Sequence, residues 1–173
     1  MRISKTRVIA VLLLTASLAL AGQSRRFTRD DIEYVLDLPS PAWQVVYRFD
    51  VHRHPEFING NDALNGYLHL RRIFADQPST ASQLFQQQET RELQRLPGYV
   101  VCSECNGMRF NGRLSATVFS YEYVSGGRAM YGRIYYFQID QRAFYSLHFT
   151  VARDRLTAID EEMDSIARSF HLK

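Results

Sequence analysis

The chain has 173 residues, of which 46% are hydrophobic, 23% are charged and 13% are aromatic, and it contains two cysteines. These proportions are typical of one globular domain and exclude a disordered chain, a collagen, a coiled coil and a disulfide-dense miniprotein. The full sequence carries 21 Lys and Arg against 18 Asp and Glu, a formal net charge of +3.

Residues 1–21 have the three parts of a secretory signal peptide. The segment opens with three basic residues, continues with an apolar run and ends in a small-x-small cleavage site at residues 19–21. The apolar run is too short to span a bilayer. Gln23 stands where a lipoprotein signal needs a cysteine, so we expect no lipid anchor. The sequence therefore predicts a secreted or periplasmic protein that starts near Gly22 and does not span a membrane once processed.

Removal of the signal peptide changes the charge of the protein. The segment takes three basic residues and no acidic residue with it, which leaves 18 of each sign. A near-neutral chain lacks the basic surface that nucleic-acid binding requires. We therefore expect no nucleic-acid partner, and favour another envelope protein or a small ligand.

The first half of the mature chain predicts a flexible lead-in, three strands and a helix. Residues 22–31 are polar and predict the lead-in, and residues 32–173 predict a single domain. A loop is predicted over residues 52–65, where prolines and Asn-Gly pairs interrupt the pattern. Thr80 and Gln83 have the spacing of a helix capping box. The three predicted strands cover residues 32–38, 43–51 and 67–75.

The second half predicts a meander of strands followed by a helix. Residues 114–124 and 129–139 flank the Ser-Gly-Gly-Arg turn of a hairpin, and a further strand covers residues 143–152. In that strand Tyr145 and Leu147 are predicted on one face, and Ser146 and His148 on the other. The final helix has one apolar stripe, at Leu156, Ile159, Met163, Ile166 and Phe170. Its acidic residues are interpreted as a solvated face; they are Asp160, Glu161, Glu162 and Asp164.

The order of these elements predicts an α+β fold with a mainly antiparallel β-sheet covered by α-helices. The corner "LPSPAW", the hairpin "SGGRAMYGRIYYF", the strand "RAFYSLHFTV" and the closing "IARSFHLK" resemble the PsbP-like superfamily, named after an extrinsic subunit of photosystem II. The resemblance implies an α/β/α sandwich. It transfers no functional residue, because the superfamily covers assembly, adaptor and other roles.

Cys102 and Cys105 form the most distinctive local motif of the sequence, a Cys-x-x-Cys pair. An oxidising compartment and an even cysteine count favour a local disulfide, provided that the chain turns there. A redox-active dithiol is the second interpretation, although no helix is predicted after the pair. A zinc site that combines Cys102 and Cys105 with His52 and His54 is the third. Two free thiols are the fourth. No other cofactor is expected.

Tyrosines concentrate in the predicted hairpin. Tyrosine and arginine are enriched at protein interfaces, because they combine apolar area with polar tips. One interpretation is therefore an exposed interface, and the other is a set of core rings beneath the helices. The interface candidates are Tyr121, Tyr123, Tyr131, Arg133 and Tyr135.

No nucleophile elbow, paired-histidine metal motif or phosphate-binding loop is present in the sequence. The absence of these motifs, together with the predicted signal peptide, favours an exported, non-catalytic binding or assembly module of the cell envelope. The alternative is a small metal-binding or thiol-redox enzyme that uses Cys102 and Cys105.

Overall fold

The computed structural model describes residues 24–46 and 54–173. The predicted signal peptide and His52 lie outside the described residues. In chain order the elements are β1 (Arg25–Phe27), β2 (Tyr34–Leu38), β3 (Trp43–Val46), β4 (Glu56–Asn59), β5 (Tyr67–Phe74), α1 (Ala81–Arg91), β6 (Val100–Val101), β7 (Met108–Asn111), β8 (Ser115–Ser125), β9 (Arg128–Gln138), β10 (Ala143–Ala152), α2 (Leu156–Ser169) and β11 (His171–Leu172).

Two antiparallel sheets organise the chain. The large sheet has the strand order β3-β4-β5-β10-β9-β8-β6, and β7 also pairs with β8. The small sheet has the order β1-β2-β11. One face of the large sheet packs against α2 and the small sheet, and the other face packs against α1. This is the predicted helix-covered antiparallel sheet. Within the part of the chain that the structure describes, neither helix is long and apolar enough to cross a membrane.

Local sequence signals account for the best-predicted elements. Both halves of the capping box form, because the Thr80 side chain accepts from the backbone of Gln83 and the Gln83 side chain accepts from the backbone of Thr80. Gly126 and Gly127 have φ of 57° and 77°, the left-handed values that a two-residue hairpin turn requires. The hairpin of β8 and β9 is thereby fixed in register.

Three segments differ from the sequence prediction. The lead-in over residues 22–31 contains β1, which pairs with β2 and buries Phe27. The predicted loop over residues 52–65 contains β4, whose Phe57 is fully buried. The C-terminal residues form β11, which also pairs with β2. Each strand has at most four residues, so none is long enough to show a hydrophobic period.

Glu161 of α2 is exposed to solvent, as predicted, but the other three acidic residues of the predicted solvated face have partners on the large sheet. Glu162 accepts hydrogen bonds from the Trp43 indole at 2.8 Å and from the Asn59 amide at 3.0 Å. Asp160 and Asp164 pair with Arg133 of β9. These carboxylates therefore attach α2 to the large sheet.

Candidate functional site

The tyrosine-rich hairpin is mainly core. Tyr121, Tyr131 and Tyr135 are 1%, 6% and 0% exposed, and Tyr123 is half-buried. The rings fill the space beneath the two helices, so they are not available as an exposed interface. For Tyr121, Tyr131 and Tyr135 the structure therefore corrects the interface interpretation.

The interface candidates also divide between the two faces of the large sheet. Tyr131 and Tyr135 belong to the core beneath α2, with Arg133 between them on the same strand face. Tyr121 and Tyr123 belong to the core beneath α1. Tyr121 pairs with Gly132 and therefore lies on the opposite face from Arg133 and Tyr135, because side chains alternate along each strand. The interface candidates do not form one cluster.

Arg133 is the centre of a polar network on the α2 side. Its guanidinium lies 2.8 Å from Asp160 and 3.2 Å from Asp164. It also donates to the Tyr131 hydroxyl at 2.9 Å, and the Tyr135 hydroxyl donates to Asp164. Both acidic partners come from α2, so the network joins α2 to β9 and leaves the guanidinium charge neutralised.

Cys102 and Cys105 lie in the turn between β6 and β7. The backbone N–H of Cys105 donates to the carbonyl of Cys102 at 3.2 Å, and the two sulfur atoms lie 2.7 Å apart. Gly107 completes the turn with φ of 77°. The predicted change of chain direction is therefore present, and it brings together the two thiols, which are free in the structure.

The environment of Cys105 does not suit a reactive thiol. The hydrogen bond with Cys102 and burial raise the pKa of Cys105 to about 11. A redox-active thiol needs the opposite shift, which the N-terminus of a helix provides. Here the turn leads into β7 and not into a helix. The local disulfide stays a prediction.

We expect Cys102 and Cys105 to be bridged in the exported protein. Intact-mass spectrometry without reductant should give a chain two hydrogen atoms lighter than the reduced form. The Cys102→Ser variant should not show this difference. Reduction should lower the free energy of unfolding by at most about 2 kcal/mol, because so short a loop loses little entropy in the unfolded state. Alkylation of both thiols without prior reduction would contradict the bridge.

Of the proposed zinc ligands that the structure describes, His54 is not brought close to Cys102 and Cys105. His54 packs against the rings of Tyr34 and Tyr145, at centroid distances of 6.0 Å and 6.3 Å. Cys102 and Cys105 follow β6, which is separated by β9 and β8 from β10, the strand that carries Tyr145. Within residues 24–46 and 54–173, no group of three or more His, Cys, Asp or Glu side chains is placed to hold a metal ion.

A cavity between α1 and the large sheet is the best candidate for a binding site. α1 packs mainly over β8 and β9, where Phe85 stacks on Phe119 at 4.1 Å. Neighbouring parts of β5 and β10 on the same face carry polar residues beside the helix. The resulting α1 groove has a volume of about 170 Å³ and is lined by Arg71, Ile73, Leu84, Gln87, Gln88, Arg91, Glu92, Tyr136, Ser146 and His148.

His148 is the titratable group on the floor of the α1 groove. Its Nε2 lies 2.7 Å from the hydroxyl of the buried Tyr121. Burial, with the nearby His69 and Arg71, lowers the pKa of His148 from the ordinary 6.5 to about 3. The imidazole is therefore neutral at neutral pH and takes part in hydrogen bonds without a charge.

We expect His148 to make the stability of the protein pH-dependent. Between about pH 3 and 6.5 the unfolded chain binds a proton at this position and the folded chain does not, so the free energy of unfolding decreases as the pH is lowered. From pH 7 to pH 5 the loss should be up to about 2 kcal/mol. Urea denaturation at both pH values should show a smaller loss for His148→Gln; an equal loss would contradict the burial of a neutral imidazole.

Comparisons with known proteins decide the fold. No family model and no curated protein matches the chain. The solved structures that match include LpqN of Mycobacterium tuberculosis, with 16% identity, a TM-score of 0.57 and coverage of 87% of this chain and 91% of LpqN. The PsbP protein of the cyanobacterium Synechocystis matches with 14% identity, a TM-score of 0.59 and coverage of 91% and 96%.

The chain has the PsbP-like fold. Mog1p of Saccharomyces cerevisiae is also similar, with 8% identity, a TM-score of 0.62 and coverage of 87% of this chain and 96% of Mog1p. The predicted resemblance is therefore confirmed for the fold. Identities this low do not assign residues or activities.

Within this PsbP-like fold, the sequence predicts only a small part of the α1 groove. Ser146 and His148 lie on one face of β10, as predicted. Arg71, Arg91 and Tyr136 also line the groove, and they lie on β5, on α1 and on β9. Polar residues at alternate positions of two predicted strands are the signal that the sequence offers, since they indicate a part of the sheet face that is not packed against an apolar helix surface.

Proposed function

We propose that the protein is an exported, non-catalytic binding or assembly module of the cell envelope, and that the α1 groove is its binding site. The observation that carries the proposal is the groove itself, a concave site with convergent polar side chains between a helix and a sheet. The signal-peptide pattern of residues 1–21 supports export.

The structural relatives are in keeping with this role. LpqN is described as involved in cell envelope biogenesis, and Mog1p is described as a Ran-binding protein. These roles belong to those proteins. Their fold supports binding and assembly as functions that this architecture accommodates.

The chemistry of the groove favours binding over catalysis. A general base works best when its pKa lies near the operating pH. The pKa of His148 is about 3, so its imidazole is a weak base at neutral pH. Its hydrogen bond to Tyr121 holds the ring in one orientation. A neutral, oriented imidazole is suited to recognise a ligand by hydrogen bonding.

The α2 side offers a weaker candidate site. A cavity of about 210 Å³ lies beside Arg133. The guanidinium there is already paired with Asp160 and Asp164. A ligand would have to compete with these carboxylates, whereas among residues 24–46 and 54–173 no carboxylate forms an ion pair with Arg71 or Arg91 of the α1 groove.

Site-specific photo-crosslinking in the source cell tests the proposal. A photoreactive phenylalanine analogue replaces Gln87, which is exposed and lines the α1 groove. The control carries the same analogue at Glu161, which is exposed on α2. We expect a discrete crosslinked product in the envelope fraction from position 87 and none from position 161. Crosslinks from position 161 alone, or recovery of the protein only from the cytosol, would contradict the proposal.

A further inference from the structure

Two arginines line the α1 groove, one from the large sheet and one from the helix. Arg71 projects from β5 and Arg91 from the last turn of α1, and both line the same cavity. Within the described residues neither guanidinium has a carboxylate within ion-pair distance, in contrast to Arg26, Arg72 and Arg153. Their charges are therefore available to a ligand.

The balance of charge in the groove is positive. Glu92 is the acidic residue among the lining side chains, against Arg71 and Arg91. Arg71 also lowers the pKa of His148, because its positive charge disfavours the charged imidazolium, and this agrees with a positive potential in the groove. An anion entering the groove would meet a favourable potential.

Uncharged hydrogen-bonding groups complete the site. Ser146 is 4% exposed and lies on the groove wall. The Tyr136 hydroxyl donates to the side-chain oxygen of Gln88, which leaves the amide N–H groups of Gln88 as its donors. Carboxylates and phosphates accept hydrogen bonds from such donors and form bidentate pairs with arginine.

We propose that the α1 groove binds a small organic anion whose carboxylate or phosphate lies between Arg71 and Arg91. The apolar part of the ligand lies against Ile73 and Leu84, which form the remaining wall. The groove is small, with a volume of about 170 Å³, and is therefore suited to a compact molecule. This inference rests on the proposed binding role of the groove and adds the chemical class of the ligand.

An NMR titration of the ¹⁵N-labelled mature domain tests this inference. The probes are benzoate, phenyl phosphate and the neutral benzamide, which share an aromatic body and differ in charge. We expect saturable shifts of the Gln88 and His148 amide signals with at least one anion and not with benzamide. The stronger anion identifies whether a carboxylate or a phosphate is preferred.

Matched variants assign the effect to the two arginines. Arg71→Gln with Arg91→Gln should weaken anion binding by about tenfold or more. Arg128→Gln with Arg155→Gln removes the same charge from exposed positions outside the groove and should leave binding unchanged. Retained affinity in the first variant, or the absence of shifts with both anions, would overturn the inference. Equal shifts with benzamide would overturn the anion preference while leaving the groove a binding site.

Discussion

Replacing Phe170 by Ala should lower the free energy of unfolding by about 3–5 kcal/mol. Phe170 follows α2 directly and is fully buried. Its ring packs against Phe137, Tyr145 and Tyr34, at centroid distances of 4.6 Å, 5.4 Å and 5.8 Å. These partners come from the large and the small sheet, so removal of the ring opens a cavity where three layers meet.

Phe74 provides a matched control for this substitution. Its ring is 66% exposed and lies on the Arg72 guanidinium at 4.7 Å. Phe74→Ala should therefore cost less than about 1 kcal/mol. Urea unfolding of both variants checks the comparison. Equal losses of stability would contradict the placement of Phe170 in the core.

Replacing Gly132 by Ala should lower the free energy of unfolding by about 3 kcal/mol. Gly132 pairs with Tyr121 across the hairpin of β8 and β9. A Cβ atom there would lie 2.3 Å from Cζ of Tyr121, well inside van der Waals contact. The ring has little room to move, because it is 1% exposed and packs against Tyr99 and Tyr123.

A double-mutant cycle isolates the cause of this loss. In a Tyr121→Ala background the ring is absent, so Gly132→Ala should cost less than about 1 kcal/mol. Urea unfolding of the two single variants and the double variant gives the coupling energy. An undiminished penalty in the Tyr121→Ala background would show that the close approach of the ring to Gly132 is not its source.

The long elements of this fold could be predicted because each repeats its signal over several residues. The stripe of α2 places Ile159, Met163 and Ile166 in the core, and all three are buried. Tyr145 and Leu147 alternate with Ser146 along β10 as predicted, and the two apolar side chains lie beneath α2.

Short strands and the candidate site could not be predicted in the same way. β1 and β4 are stabilised by hydrogen bonds to β2 and β5, the next strands in the chain, and β11 by hydrogen bonds to β2 at the other end of the domain. Strands of two to four residues are too short to show a hydrophobic period. Arg71 and Arg91 line one cavity only because the fold places α1 over the sheet face that carries Arg71. The tyrosines of the hairpin are conspicuous in the sequence, but their environment could not be predicted, since tyrosine suits an interface and burial beneath a helix equally well.

The most direct test of an exported binding module is native mass spectrometry of the protein released from the envelope of its source cell. We predict a chain that begins at Gly22 and carries a bound species of additional mass. The Arg71→Gln, Arg91→Gln variant should lose that species, and the Arg128→Gln, Arg155→Gln variant should keep it. A chain that retains residues 1–21, or identical bound mass in all three proteins, would contradict this account.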